Sequence, residues 1–115
     1  MRECKINYEV DGDLCVVHVY GALDSYSFAT FESALNEIVG KDASRFILDC
    51  AGLEYISSVA IGALLGFARK ATENGGQLLI AAMAPKVQHC VELLGFHRAL
   101  NIHDTVDEAR QGFTA

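Results

Sequence analysis

The apolar run Phe46-Ile47-Leu48-Asp49-Cys50 leads through a loop to Ser57-Ser58, and the next segment, Val59 to Ala68, is apolar at helical spacing. A short, nearly continuous apolar run suits a central strand covered on both faces, so this chain has to build a sheet with helices packed on it. The two serines fall where a helix begins. Four backbone N–H groups lack intrahelical partners at any helix start, and the macrodipole leaves roughly half a positive charge there, so an added anion is tolerated. Ser58 is a candidate for switching by phosphate, and its plain alternative role is that of an N-cap.

With 115 residues, 51% hydrophobic and 21% charged, the chain can bury one ordinary core, and residues 1–115 are expected to form a single domain. Pro85 is the one proline and no tract is of low complexity, so compact structure is expected throughout. Fifteen acidic residues against nine basic ones give a net charge of -6, and the basic residues are scattered from Arg2 to Arg110. That balance argues against nucleic acid as a partner. No apolar run approaches the ~18 residues needed to span a bilayer, and Met1-Arg2-Glu3-Cys4-Lys5 lacks the apolar stretch of a secretory signal. No membrane insertion and a cytoplasmic location are expected. Cys4, Cys15, Cys50 and Cys90 form no Cys-x-x-Cys pair and are expected to be reduced, structural thiols.

The order of elements follows from the hydrophobic period, which moves between two and 3.6 along the chain. Cys4 to Val10 alternates apolar with polar, Asp11-Gly12-Asp13 is turn chemistry, and Leu14 to Tyr20 is a valine-rich strand, together a hairpin. Phe28, Phe31, Leu35 and Ile38 then mark an amphipathic helix between Asp24-Ser25 and Gly40. Arg45 to Cys50 reads as a strand, Ser58 to Asn74 as a helix stopped by Gly75-Gly76, and Gln77 to Ala82 as the next strand. Pro85 opens a helix carrying Val87, Val91 and Leu94 that stops at Gly95. Ile102 marks a last short strand, and Thr105-Val106-Asp107-Glu108 is a capping box for a final helix toward Phe113. The expected class is α/β: a mixed sheet of four to five strands with about four helices packed on it, set on one side.

The helix after Ser58 has two unlike stripes. Ile61, Leu64, Leu65 and Ala68 should bury against the sheet, whereas Val59, Gly62, Ala63, Gly66 and Lys70 are almost bare of side chain until the last. Two glycines inside a helix cost about 1 kcal/mol each relative to alanine, so something should offset them. Close packing within the fold is one explanation. The other is docking, in which a partner's backbone approaches the smooth stripe and a phosphate on the adjacent serine obstructs it by size and charge.

The residues carry a family resemblance: the chain resembles a STAS domain of the bacterial anti-sigma factor antagonist type over nearly all its length. Gly21-Ala22-Leu23-Asp24 is similar to the Gly-x-Leu-Asp element before the family's first helix, and Phe46 to Ser58 resembles the strand and loop leading to its phosphoacceptor serine. Gly75-Gly76-Gln77-Leu78, Ala84-Pro85-Lys86-Val87 and Leu94-Gly95-Phe96 fall where the family has a strand entry, a helix start and a helix end. The resemblance implies a non-catalytic partner switch. The unmodified form would bind an anti-sigma factor with serine kinase activity, phosphorylation on Ser58 would release it, and a serine phosphatase would restore it. Asp24, Ser57, Ser58, Val59, Gly62, Ala63 and Gly66 would contribute to the docking face, and a homodimer is compatible with the pattern. Ser57 occupies a position where the family often has aspartate. Ala60 replaces a common glycine and, with Val59, is expected to narrow kinase access to the hydroxyl. STAS domains also serve as scaffolds and accessory subunits of transporters or signalling complexes, which keeps an unphosphorylated binding role open.

An enzyme, such as a small hydrolase, would draw on His18, His89, His97, His103 and the cysteines. The spacings do not support one. His89-Cys90 diverge by about 100° on a helix, no His-x-x-x-His or Glu-x-x-His occurs, and Ser58 lacks a Gly-x-Ser-x-Gly elbow. Gly75-Gly76 ends a helix where a phosphate loop would open one. No catalytic residue, metal site or cofactor is expected.

Overall fold

The computed structural model describes residues 4–24, 26–39, 44–98 and 100–113, without the side chain of His97. In chain order the elements are β1 (Cys4–Asp11), β2 (Leu14–Leu23), α1 (Phe28–Val39), β3 (Arg45–Ile56), α2 (Ser58–Glu73), β4 (Gln77–Ala81), α3 (Pro85–Leu93), a 3-10 turn (Phe96–Arg98), β5 (Ile102–His103) and α4 (Val106–Gln111). The sheet runs in sequence order from β1 to β5, with β1 antiparallel to β2 and the remaining pairs parallel. Parallel neighbours need crossovers, and α1, α2 and α3 supply them. The mixed sheet and four helices are as the periods indicated. Ser25, Gly40 and the residues before Cys4 lie outside the described residues.

Period-two alternation explains the layers. Val17, Val19 and Leu23 of β2 join Phe46 and Leu48 of β3, and α1 to α3 bury Phe31, Ile38, Ile61, Leu64, Val87 and Val91 over them. Leu14, Val16, Ile47, Leu79 and Ala81 point to the other face, where α4 seats Ala109 at 0% exposure among them. The expectation of all helices on one side is therefore corrected. Strands as apolar as β3 and β4 have to be covered twice, and α4 is the second cover.

Two strands are longer than their apolar cores suggested, β2 reaching Leu23 and β3 reaching Ile56. Their pairing shifts register between His18 and Tyr20 and again between Gly21 and Ala22, and Gly21 holds φ 89° there. A helical period predicted Leu94 in the apolar stripe of α3, yet it is 51% exposed. The helix ends at Leu93, and Leu94 is its C-cap ahead of Gly95 at φ 78°, so helical periodicity no longer applies. At α4, Thr105 Oγ1 accepts from the Glu108 amide at 3.1 Å, while Glu108 reaches one residue beyond the cap, to the Asp104 amide at 3.3 Å. The four cysteines are free thiols, Cys15 and Cys50 buried, Cys4 half-buried and Cys90 exposed. Burial pushes the Cys15 and Cys50 thiols up, in keeping with inert, protonated groups.

Candidate functional site

β2 and β3 end side by side, Leu23 opposite Ile56, and the Ser57 amide donates to the Leu23 carbonyl at 2.8 Å. That bond fixes the turn at Asp24 and the pair Ser57-Ser58 on the same edge of the sheet. Asp24 starts α1. Its Oδ1 accepts from the amides of Tyr26 at 2.9 Å and Ser27 at 3.1 Å, and its carbonyl accepts from Phe28 at 3.0 Å. The buried Ser27 hydroxyl ties this turn down, 2.7 Å from the Ala22 carbonyl and 3.0 Å from the Asp24 amide. Such side-chain-closed turns are what aspartate does ahead of a helix. The Cys4 thiol is pushed up by burial and, secondarily, by the Asp24 charge.

The two serines divide the work at the start of α2. Ser57, extended at φ -87° and ψ 163°, is the N-cap: its Oγ accepts from the Ala60 amide at 3.2 Å, and its carbonyl takes the first helical bond, from Ile61, at 3.0 Å. The capping role considered for Ser58 thus belongs to its neighbour. Ser58 is the first helical residue and is exposed. The amides of Ser58 and Val59 stand at the first two helical positions, where the helix itself offers no acceptor.

The expected crowding by Ala60 is also corrected. Two residues along an α-helix turn the side chain by about 200°, so Ala60 points inward from Ser58 and is fully buried, at 0% exposure. Its methyl fills core space. Val59, 56% exposed, is the neighbour that borders the hydroxyl on the surface.

The stripe of small residues is open. Ile61 and Leu64 are buried as expected, Phe67 and Ala71 join them, and Leu65 and Ala68 are half-buried. Gly62 and Gly66 are exposed and Ala63 is half-buried. A Cβ added at Gly62 or Gly66 would meet no described atom within 4 Å, so these glycines do not serve close packing inside the described fold. Gly66 and Ala63 border a groove of about 380 Å³ between α1 and α2, floored by Phe31, Leu35 and Phe67 with Lys70 at its rim.

A family model for the STAS domain matches residues 5–109. The chain belongs to the STAS domain family. BtrV of Bordetella bronchiseptica, named as a candidate anti-sigma factor antagonist, is 27% identical over 105 residues, covering 91% of this chain and 90% of that protein. The crystal structure of an anti-sigma factor antagonist from Mycobacterium paratuberculosis has a TM-score of 0.85 at 21% identity, covering 95% of this chain and 92% of that one. The Bacillus cell fate determinant SpoIIAA in its phosphorylated form has a TM-score of 0.68 at 18% identity, covering 93% and 97%.

In this STAS domain the edge also exposes aromatic groups that the sequence reading passed over. Tyr26 is 79% exposed beside Asp24, and Tyr55 is 40% exposed just before Ser57. Tyr26 falls off the spacing of Phe28, Phe31 and Leu35, and that offset was the available signal that it faces solvent. Among the described residues, no group of three or more His, Cys, Asp or Glu is placed to hold a metal ion. His18 lies away from the edge, on the α4 side of the sheet, with Nδ1 2.7 Å from Asp49 Oδ2 and Nε2 3.7 Å from Glu9.

Proposed function

We propose that this STAS domain is an anti-sigma factor antagonist that works by partner switching in the cytoplasm, with Ser58 as its phosphoacceptor. The observation that carries the reading is the division of labour between Ser57, which caps α2, and Ser58, which stands exposed beside an open stripe of small residues. The names borne by similar proteins point the same way. In the unmodified state an anti-sigma factor with serine kinase activity docks on Ser57, Ser58, Val59, Gly62, Ala63 and Gly66, with Asp24 and Tyr26 at the margin.

Transfer of the terminal phosphoryl group of ATP forms a P–O bond at Ser58 Oγ and breaks the bond to ADP, while the serine proton passes to a base on the kinase. The domain supplies the acceptor and no catalysis. The phosphate adds about 1.5 to 2 negative charges, which the unpaired amides and positive end of α2 stabilise in the free domain. An interface formed over it would bury that charge, at a cost of several kcal/mol, enough to weaken affinity by orders of magnitude. A serine phosphatase restores the hydroxyl by hydrolysing the phosphoester with water, releasing inorganic phosphate.

The test is incubation with the candidate serine kinases of the same genome and ATP, with the modified residue located by mass spectrometry. Ser58→Ala should keep binding and block modification, whereas Ser58→Glu should bind about 100-fold more weakly, or about 2.7 kcal/mol. Equal affinity of the wild type and both variants contradicts the switch.

A further inference from the structure

β1 ends the sheet on its side and, among the described residues, has a neighbouring strand only at β2. Proteins commonly blunt such edges with proline, a bulge, short length or charge. β1 spans eight residues without proline, and its register runs unbroken from Cys4 opposite Gly21 to Asp11 opposite Leu14. Its two faces are segregated. Cys4, Ile6, Tyr8 and Val10 lie on the side of α1, where Cys4 and Ile6 pack on the core, while Lys5, Asn7, Glu9 and Asp11 lie on the other. Tyr8 and Val10 are nevertheless 39% and 47% exposed.

We propose that this edge pairs with the same edge of a second copy, antiparallel about a two-fold axis through Asn7, joining the two sheets into one. A two-fold axis normal to the sheet keeps each face on its own side, so apolar positions meet apolar ones and polar positions meet polar ones. With the axis at Asn7, Lys5 stands opposite the second copy's Glu9, Ile6 opposite Tyr8, Cys4 opposite Val10, and Asn7 opposite itself. Each unlike pair occurs twice. Opposite charges and aromatic against β-branched side chains are the favourable cross-strand pairs. Among the described residues, moving the axis to Ile6 sets Lys5 against Asn7, and moving it to Tyr8 sets Lys5 against Asp11 but leaves Glu9 against Asn7. Only in the chosen register do Lys5 and Glu9 both face an opposite charge on the second copy. α2 packs over β3 and β4, away from this edge, so the dimer presents two copies of Ser58.

Sedimentation velocity from micromolar to millimolar protein tests the pairing. The wild type should dimerise, Lys5→Glu and Glu9→Lys alone should each raise the dissociation constant at least tenfold, and the double variant should recover dimerisation. Both positions are exposed, and circular dichroism checks that the variants remain folded. In a Cys4→Ser, Cys90→Ser background, Asn7→Cys should cross-link on mild oxidation and Tyr8→Cys should not. A wild type monomeric at millimolar concentration, a double variant as weak as the singles, or cross-linking through Tyr8→Cys alone overturns the proposal.

Discussion

Where β3 and β4 begin, the chain is pinned. The Arg45 guanidinium holds both Asp13 carboxylate oxygens at 2.8 and 3.1 Å, the Ser44 and Arg45 amides share the Asp13 carbonyl, and Gln77 donates to the Ser44 carbonyl. Where β2 and β3 end, Tyr26, Ser58 and Val59 stand in solvent above an open helix face. Glycine serves each region for an opposite reason. A Cβ on Gly76 would sit 1.9 Å from the Ser44 carbonyl oxygen, while one on Gly66 would meet no described atom within 4 Å. Glycine content alone therefore says nothing about function; the space around each glycine does.

The largest expected effect breaks that contrast if it is misplaced. Gly76→Ala forces a backbone collision that no side-chain rotation relieves, and it should destabilise the domain by about 3 kcal/mol in urea titration. Gly66→Ala should instead stabilise by about 1 kcal/mol, because alanine is the better helix former and nothing obstructs it. Gly66→Glu should leave the melting temperature nearly unchanged while weakening the proposed partner's binding at least tenfold. A Gly66→Ala variant that melts early would place the stripe in a packed interface and shift the docking face elsewhere.

A smaller contrast separates the two serines. Ser57→Ala removes the acceptor for the Ala60 amide and should cost about 1 kcal/mol, the usual price of a lost N-cap. Ser58→Ala touches an exposed hydroxyl and should stay within about 0.5 kcal/mol of the wild type. Equal losses at both positions would mean that Ser58 is structural after all, whatever its exposure.

The elements were legible because strands and helices leave different periods, and Pro85, Gly95 and the Thr105 box punctuate them. What escaped the sequence was set by geometry between elements. That α4 covers the second face depends on where β5 delivers the chain, and its six residues carry too little pattern to say so. Which of two adjacent serines caps α2 was undecidable by composition, since either hydroxyl fits the role; the bond from the Ser57 amide to the Leu23 carbonyl decides it by holding Ser57 extended. Ala60 was misjudged for a related reason. It is adjacent in sequence to the exposed pair, but helical rotation carries it into the core.

The smallest effect sharpens the account of the pinned edge. Hydrogen bonding to Arg45, with its charge in support, holds the Asp13 carboxyl below its usual range in the folded state. A carboxyl lowered on folding contributes stability that is full above its unfolded value of about 4 and is lost as pH falls through the lower native value. Asp13→Asn should therefore unfold at lower urea concentration than the wild type at pH 7, and the two should converge as the pH drops below the native range of that carboxyl. Arg45→Ala should behave differently, because Arg45 also lies over the Phe113 ring at 5.3 Å, a contact that does not titrate. Its deficit should persist in acid. If Asp13→Asn shows no deficit at pH 7, the charge at Asp13 is irrelevant and the backbone bonds through its carbonyl hold this edge by themselves; a deficit that persists in acid has a cause other than that charge.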